Sequence, residues 1–322
     1  MLRCIIAFYI ASVSWLALAD GETNTNVSPT AQSFYEQMLT RAPNAMYEGI
    51  FIHQAGNQTQ SVEIVHGTQD DAIWERLLHL DGPTREVIRR GEALYCIHPD
   101  KSVEQVQQKG NSPFAKTESS NIRQLTKAYE FRSLGKQRIA GRMVEGIQLA
   151  PKDASRHFYQ LWLDTETMVP LRTELVSRQG QVLERYQFSY FAPKTEFIQE
   201  RFEPRTKGAV LAQADKPEVL KTTQKDVLEW RLNWIPVGFE DEASTGYAPK
   251  LSARRIYSDG IVMFSVYVEQ VEKALDEGTA QSGPTVLAVQ HKQWHGQTHR
   301  ITVVGEIPAA TAQRIAQSVE LL

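Results

Sequence analysis

The chain has 322 residues, 42% of them hydrophobic and 23% charged, with 19 Gly and 14 Pro spread along it. That balance is globular and excludes collagen, coiled coil and global disorder. Its 35 Lys and Arg stand against 38 Asp and Glu, a net charge of −3 with no long run of one sign, which argues against a nucleic-acid groove or a polybasic membrane arm. The length suits one large domain or two unequal ones.

Met1-Leu2-Arg3-Cys4, an apolar run from Ile5 to Leu16 and the small residues of Ala17-Leu18-Ala19 have the form of a signal peptide cleaved after Ala19. The rival reading is an uncleaved anchor, because the 16 residues between Arg3 and Asp20 come close to the lower edge of the spanning range. No cysteine stands at the cleavage point to accept a lipid. Cleavage leaves Cys96 as the single thiol, without a disulfide partner. Its setting, Ala93-Leu94-Tyr95-Cys96-Ile97, reads as strand, so the thiol is read as a small hydrophobe rather than a reactive group.

Ser28-Pro29 reads as an N-cap followed by proline in the first helical turn. Ala31, Phe34, Tyr35, Met38 and Leu39 then share one helical face before the stop at Arg41-Ala42-Pro43-Asn44. From Tyr47 to Phe191 the period becomes two. Ten strands follow, at Gly49–Ile52, Val62–Val65, Ile73–Leu80, Arg85–Arg89, Leu94–Ile97, Glu130–Ile139, Arg142–Leu149, His157–Leu163, Leu171–Val176 and Val182–Phe191, and they predict an antiparallel meander. Turn residues at Ala55-Gly56-Asn57, Asp81-Gly82-Pro83, Ala140-Gly141 and Arg178-Gln179-Gly180 separate the runs. A polar loop from Lys101 to Glu118 leads to one interrupting helix, Asn121–Ala128, capped by Ser119 or Ser120. Val182, Tyr186, Phe188 and Tyr190 alternate onto one face of the last strand, so that face is predicted to be aromatic and inward. A long curved sheet of this kind forms a barrel or half-barrel, either filled or enclosing an apolar cavity.

The first domain is set at residues 28–203, a linker at 204–225 where alternation gives way to Lys, Thr, Gly, Ala and Pro, and a second domain at 226–322. The second domain reads as Trp230–Phe239, a hairpin with Asp259-Gly260 at its tip between Arg254–Tyr257 and Ile261–Val268, strands Thr285–Val289 and Arg300–Val304, and a closing helix. In that helix Pro308 comes first, and Ala312, Ile315, Ala316 and Val319 line one face.

A nucleophile elbow, a phosphate loop, a dinucleotide fingerprint and a His-Glu-x-x-His motif are all missing from the sequence. Asp70-Asp71, Asp241-Glu242 and Asp164 with Glu166 sit among turn residues and read as solvated surface. His291, His295 and His299 have a spacing that would suit metal ligands on a helix. Their flanks are strand-like, however, and a two-residue turn at His295-Gly296 would pair Lys292 with His299 and turn His291 to the other face. No catalytic residue, metal or cofactor is assigned.

Several segments resemble the periplasmic sigma-E regulatory proteins of the RseB/MucB family. They are Glu75-Arg76-Leu77-Leu78-His79-Leu80-Asp81-Gly82-Pro83-Thr84-Arg85-Glu86-Val87, Leu161-Trp162-Leu163-Asp164 with Val169-Pro170-Leu171, and Gln181-Val182-Leu183-Glu184-Arg185-Tyr186-Gln187-Phe188 in the first half. In the second half they are Trp234-Ile235-Pro236-Val237-Gly238-Phe239, Tyr257-Ser258-Asp259-Gly260 with Phe264-Ser265-Val266-Tyr267-Val268, Gly283-Pro284-Thr285-Val286 and Val303-Val304-Gly305-Glu306-Ile307-Pro308. The resemblance implies an α+β, mainly β chain: an open antiparallel β-barrel like that of lipoprotein carriers, plus a smaller C-terminal mixed α/β domain. It implies a non-enzymatic periplasmic regulator that binds the periplasmic part of a membrane-spanning anti-sigma factor, shields it from proteolysis, and is released by lipid or lipopolysaccharide fragments. A lipid or lipoprotein carrier is the alternative, and an envelope hydrolase a more distant one; homo-oligomer formation is left open. Phe51, Trp74, Trp162, Tyr186 and Phe188 are the candidates for lining an acyl-chain cavity, with core filling as the rival role. Arg254, Arg255, Tyr257 and Tyr267 are the candidates for contacting the protein partner, with an ordinary amphipathic hairpin as the rival.

Overall fold

A computed structural model describes residues 30–106, 122–211, 229–242, 254–272 and 276–322. The signal-peptide segment and the Ser28, Ser119 and Ser120 caps lie outside the described residues. The first helix, α1 (Ala31–Arg41), is capped by Thr30, whose hydroxyl accepts the Ser33 N–H at 3.2 Å. A single 3-10 turn, Ala42–Asn44, then turns the chain into the sheet.

Eleven antiparallel strands build that sheet: β1 (Met46–Ala55), β2 (Gln58–Gln69), β3 (Ala72–His79), β4 (Glu86–Arg90), β5 (Ala93–Ile97), β6 (Val103–Val106), β7 (Tyr129–Ile139), β8 (Arg142–Pro151), β9 (Phe158–Asp164), β10 (Pro170–Val176) and β11 (Val182–Lys194). Their spatial order is β6-β5-β4-β3-β2-β1-β11-β10-β9-β8-β7. Two meanders are therefore joined where β11 pairs with β1, rather than one continuous meander as the strand series suggested. The edges β6 and β7 do not pair, so the sheet stays open. Between them in sequence stands α2 (Ile122–Ala128), as predicted to within one residue. β6 itself falls in the stretch read as a polar loop.

Residue parity divides the sheet into two faces. Tyr47, Phe51, Val62, Ile64 and Leu77 point to the concave side, as do Leu149, Leu161 and Leu163; Tyr35 and Met38 of α1 belong to the same core. In β11 the alternation slips. Ile50 pairs with Tyr190 but Phe51 with Phe188, so Ser189 is an extra residue in a β-bulge. Beyond it, Phe191 turns inward and Tyr190, 55% exposed, turns out. The inward face predicted for Tyr190 is thus corrected, and the bulge is the reason.

The opposite face of β3 to β6 is covered by a strap, residues 197–211. Phe197 and Phe202 pack edge-on to Trp74. Ala209 and Leu211 pack on Ile88, Tyr95 and Ile97. Glu86 accepts the main-chain N–H groups of Arg205 and Thr206 and the Thr206 hydroxyl, all at 3.0–3.1 Å. The first eight residues of the stretch assigned as linker are therefore docked on the sheet.

The second unit holds β12 (Trp230–Leu232), β13 (Glu240–Asp241), β14 (Arg254–Ser258), β15 (Met263–Val271), β16 (Gly278–Ser282), β17 (Thr285–Trp294), β18 (Gln297–Gly305), α3 (Ala309–Ser318) and β19 (Val319–Leu321). A six-stranded sheet runs β13-β14-β15-β18-β17-β16, and β12 pairs with β19. Trp230–Phe239 is thus a three-residue strand followed by loop, and Val319 begins a strand instead of ending the helix. The hairpin predicted at Asp259-Gly260 closes through a four-residue loop, because Ser258 pairs with Met263. Ile261 and Val262 leave the strand and sink into the core. His295 and Gly296 both adopt positive φ, the two-residue turn predicted there. One continuous apolar core contains residues of both units, from Tyr35 to Val319.

Candidate functional site

The concave face of β1 and β11 carries an aromatic wall. The Phe188 ring lies 5.8 Å from Phe51, 6.0 Å from Tyr47 and 5.3 Å from Phe191. Beside it Tyr186 stacks on His53 at 4.2 Å. Glu184 joins them, accepting from the Tyr186 hydroxyl at 3.1 Å and lying 2.9 Å from His53 Nε2. Burial pushes the Tyr186 hydroxyl pKa well up, and the Glu184 carboxylate adds to the shift. Further in, Tyr47 stacks on His66 at 4.9 Å.

Of the five residues proposed to line an acyl-chain cavity, Phe51, Tyr186 and Phe188 come together on this wall. Trp74 and Trp162 lie on the other face. Trp74 pairs with Gly67 and Trp162 with Gly146, positions out of phase with the concave rows. Trp74 is covered by the strap, and Trp162 by the Arg172 guanidinium 3.6 Å from the ring centre. Phe51 and Phe188 are fully buried and fill the space they face.

Two openings lie on the outer face instead. One, of about 60 Å³, is bordered by Met46, Val65, Gly67, Phe197 and Phe202 and has room for a few waters but not an acyl chain. The other is a groove of about 350 Å³ between Glu63, Leu78, Leu80 and Thr84 on the sheet side and Arg205 and Thr206 of the strap.

The two units meet at a buried charged seam. Arg156 and Asp259, 103 residues apart in sequence, are both 0% exposed and joined at 2.7 Å. Asp259 also accepts from the Tyr129 hydroxyl at 3.0 Å and from the main-chain N–H groups of Ile261 and Val262. Arg156 further donates to Asp153 and to the Val237 carbonyl, with its guanidinium 4.5 Å from the Phe239 ring centre. Burial alone would pull the Arg156 pKa down, but Asp259, Tyr129 and Asp153 together outweigh it and the cation is held. Gln124 of α2 donates across the same seam to the Gly238 and Ser258 carbonyls. None of these residues was proposed as a site from the sequence, where Asp259-Gly260 signals only a turn and Arg156 has no assigned role.

The four residues proposed for partner contact divide between the faces of β14 and β15. Tyr257 is buried and stacks on Phe264 at 5.1 Å, and Arg255 sits over the Trp230 ring at 4.5 Å. Arg254 and Tyr267 form a cross-strand pair on the other face, half-buried.

The remaining candidates carry structure. Lys292 pairs with His299, so His291 faces the other way, and the described residues hold no group of three metal-ligating side chains. Asp164, read as surface, is buried instead. It binds Arg142 through two hydrogen bonds and accepts the Thr167 N–H and hydroxyl. Burial raises the Cys96 thiol pKa, as does Glu104, which makes it a poor nucleophile at neutral pH.

Comparison with known proteins matches residues 30–206 to the MucB/RseB N-terminal domain and residues 224–320 to the MucB/RseB C-terminal domain. The sigma factor AlgU regulatory protein MucB of Pseudomonas aeruginosa is 32% identical over 85% of this chain and 85% of its own. The sigma-E factor regulatory protein RseB of Escherichia coli K12 is 28% identical over 92% of each. The solved complex of Pseudomonas aeruginosa MucA and MucB matches with a TM-score of 0.72 at 26% identity, covering 90% of this chain and 98% of that one.

Proposed function

Because the chain belongs to the MucB/RseB family, we propose that it is a periplasmic negative regulator of the envelope-stress sigma-E response. It binds the periplasmic segment of a membrane-spanning anti-sigma factor, shields that segment from the protease that starts its degradation, and lets go on meeting lipid or lipopolysaccharide fragments. It reaches the periplasm through the leader that ends at Ala19.

The observation that carries this reading is the extent of the likeness. It spans both units and nearly the whole of a relative solved in complex with MucA, whereas a simple carrier would need only the first unit. The seam supports it as well, since burying an ion pair between the units fixes one composite surface. The filled concave wall gives less support to the carrier alternative.

Isothermal titration of the mature chain with the periplasmic segment of the anti-sigma factor from the same organism tests the reading. Tight binding that weakens when lipopolysaccharide fragments are added is the expected result. Lipid uptake without any binding of the segment would replace it with the carrier reading. Shielding is tested separately, by the rate at which the protease cuts the segment with and without this protein.

A further inference from the structure

A sheet edge is a ready template for a further strand, and proteins guard it with short length, charge, a bulge or a cover. Among the described residues every edge but one is guarded in this way. β7 carries Arg132, Lys136 and Arg138 and a bulge at Leu134. β6 is four residues long and includes Glu104, and β13 is only Glu240-Asp241. β12 and β19, three residues each, bear the Arg231 and Glu320 ion pair. The exception is β16.

Gly278-Thr279-Ala280-Gln281-Ser282 has no charge and no proline, and its register runs unbroken from Gly278 opposite Val289 to Ser282 opposite Thr285. All five residues are exposed. The two-residue turn that follows opens with Gly283 at φ +54, and in such a hairpin the flanking pair is doubly hydrogen-bonded. Ser282, Ala280 and Gly278 therefore direct their main-chain groups at β17, while Thr279 and Gln281 turn theirs away from it. No described strand receives them. Ala280 stands opposite Leu287, which is 38% exposed although Val286 and Ala288 on either side of it are buried. At the start of the strand Asp276 and Glu277 add two exposed carboxylates.

We propose that the β16 edge is where an extended stretch of the anti-sigma factor's periplasmic segment docks, adding a seventh strand to the six-stranded sheet. Its main chain bonds Thr279 and Gln281, an apolar side chain covers Leu287, and a Lys or Arg lies beside Asp276 and Glu277. The assignment rests on the regulator reading above and gives its partner an address. Charge favours this occupant over a second copy of the chain. Antiparallel self-pairing centred on Ala280 would set Glu277 and Asp276 opposite Gly283 and Pro284 of the other copy, a neutral turn that answers neither carboxylate.

Amide hydrogen exchange of the mature wild-type chain, with and without the periplasmic segment from the same organism, reads the edge directly. The Thr279 and Gln281 amides should exchange far more slowly in the complex. Thr279→Pro removes an outward N–H without touching the β17 ladder, and should bind the segment about tenfold more weakly by isothermal titration. Thr279→Val keeps that N–H and should bind as the wild type does, with the far-ultraviolet circular dichroism of both variants unchanged. Tight binding with both amides exchanging as fast as in the free chain overturns the edge assignment alone, as does full affinity in Thr279→Pro. Protection that appears without the segment and grows with protein concentration gives the edge to a second copy and overturns it too. No binding by the wild-type chain overturns the regulator reading itself, and the assignment falls with it.

Discussion

The Phe188 ring lies on Gly49 with no space between them, so that a β-carbon built on Gly49 would come within 2.6 Å of the ring and 2.7 Å of the Tyr190 carbonyl oxygen. The bulge at Ser189 brings the β11 backbone close at this point, and only glycine accommodates it. Gly49→Ala should therefore force the wall to shift, at a cost of about 1–3 kcal/mol. Thermal melting would register this as a drop of several degrees, and an unchanged melt would mean that the wall is not packed as described.

Removing Asp259 leaves the Arg156 guanidinium buried without its anion. Asp259→Ala should cost about 3–5 kcal/mol, and the double variant Asp259→Ala with Arg156→Met should recover part of it. Chemical denaturation of the two variants side by side checks the sign of the coupling. A double variant less stable than the single would show that the two side chains act independently.

Glu86 is the anchor of the strap. Glu86→Ala strands the Arg205 and Thr206 N–H groups and the Thr206 hydroxyl against an apolar surface, and should cost about 3 kcal/mol. The effect should be local as well as global. Limited proteolysis ought to cut between residues 203 and 211 in the variant well before it cuts the wild type.

Asp164 carries a pH signature. Burial would raise its pKa, but the Arg142 and Thr167 hydrogen bonds overcome that and set it below the ordinary 3.8. A carboxyl with a depressed folded pKa gives its full stabilisation above the unfolded value and loses it as pH falls through the folded one. The stability gap between wild type and Asp164→Asn should thus be constant from pH 7 to about pH 5 and close below pH 3.8. A gap of the same size at pH 2 as at pH 7 would mean that the charge on Asp164 contributes nothing.

What could be read from the sequence was local. Period-two runs bounded by turn residues located ten of the eleven strands of the large sheet, and turns such as Ala140-Gly141 and His295-Gly296, with both residues at positive φ, marked their hairpins. The edge strands β6 and β16 escaped because an edge need not alternate; Gly278–Ser282 is exposed at every position. The bulge escaped too, since Ser189 differs from its neighbours only in which partner it lacks. Placing Trp74 and Trp162 in one cavity with Phe51 failed on parity, which requires the pairing register and not composition alone. The seam was hidden for a different reason. Arg156 and Asp259 are ordinary loop residues until the chain folds one against the other.

The strap sets an order of events as well as a contact. It is made of residues 197–211 but covers β3 to β6, which precede it by about a hundred positions. A chain leaving a pore N-terminus first would present those strands with Trp74, Ile88, Tyr95 and Ile97 bare until the strap emerges. During that interval the first meander has a sticky back, and it is the stage of this protein's life at which a holding chaperone would have the most apolar surface to grip.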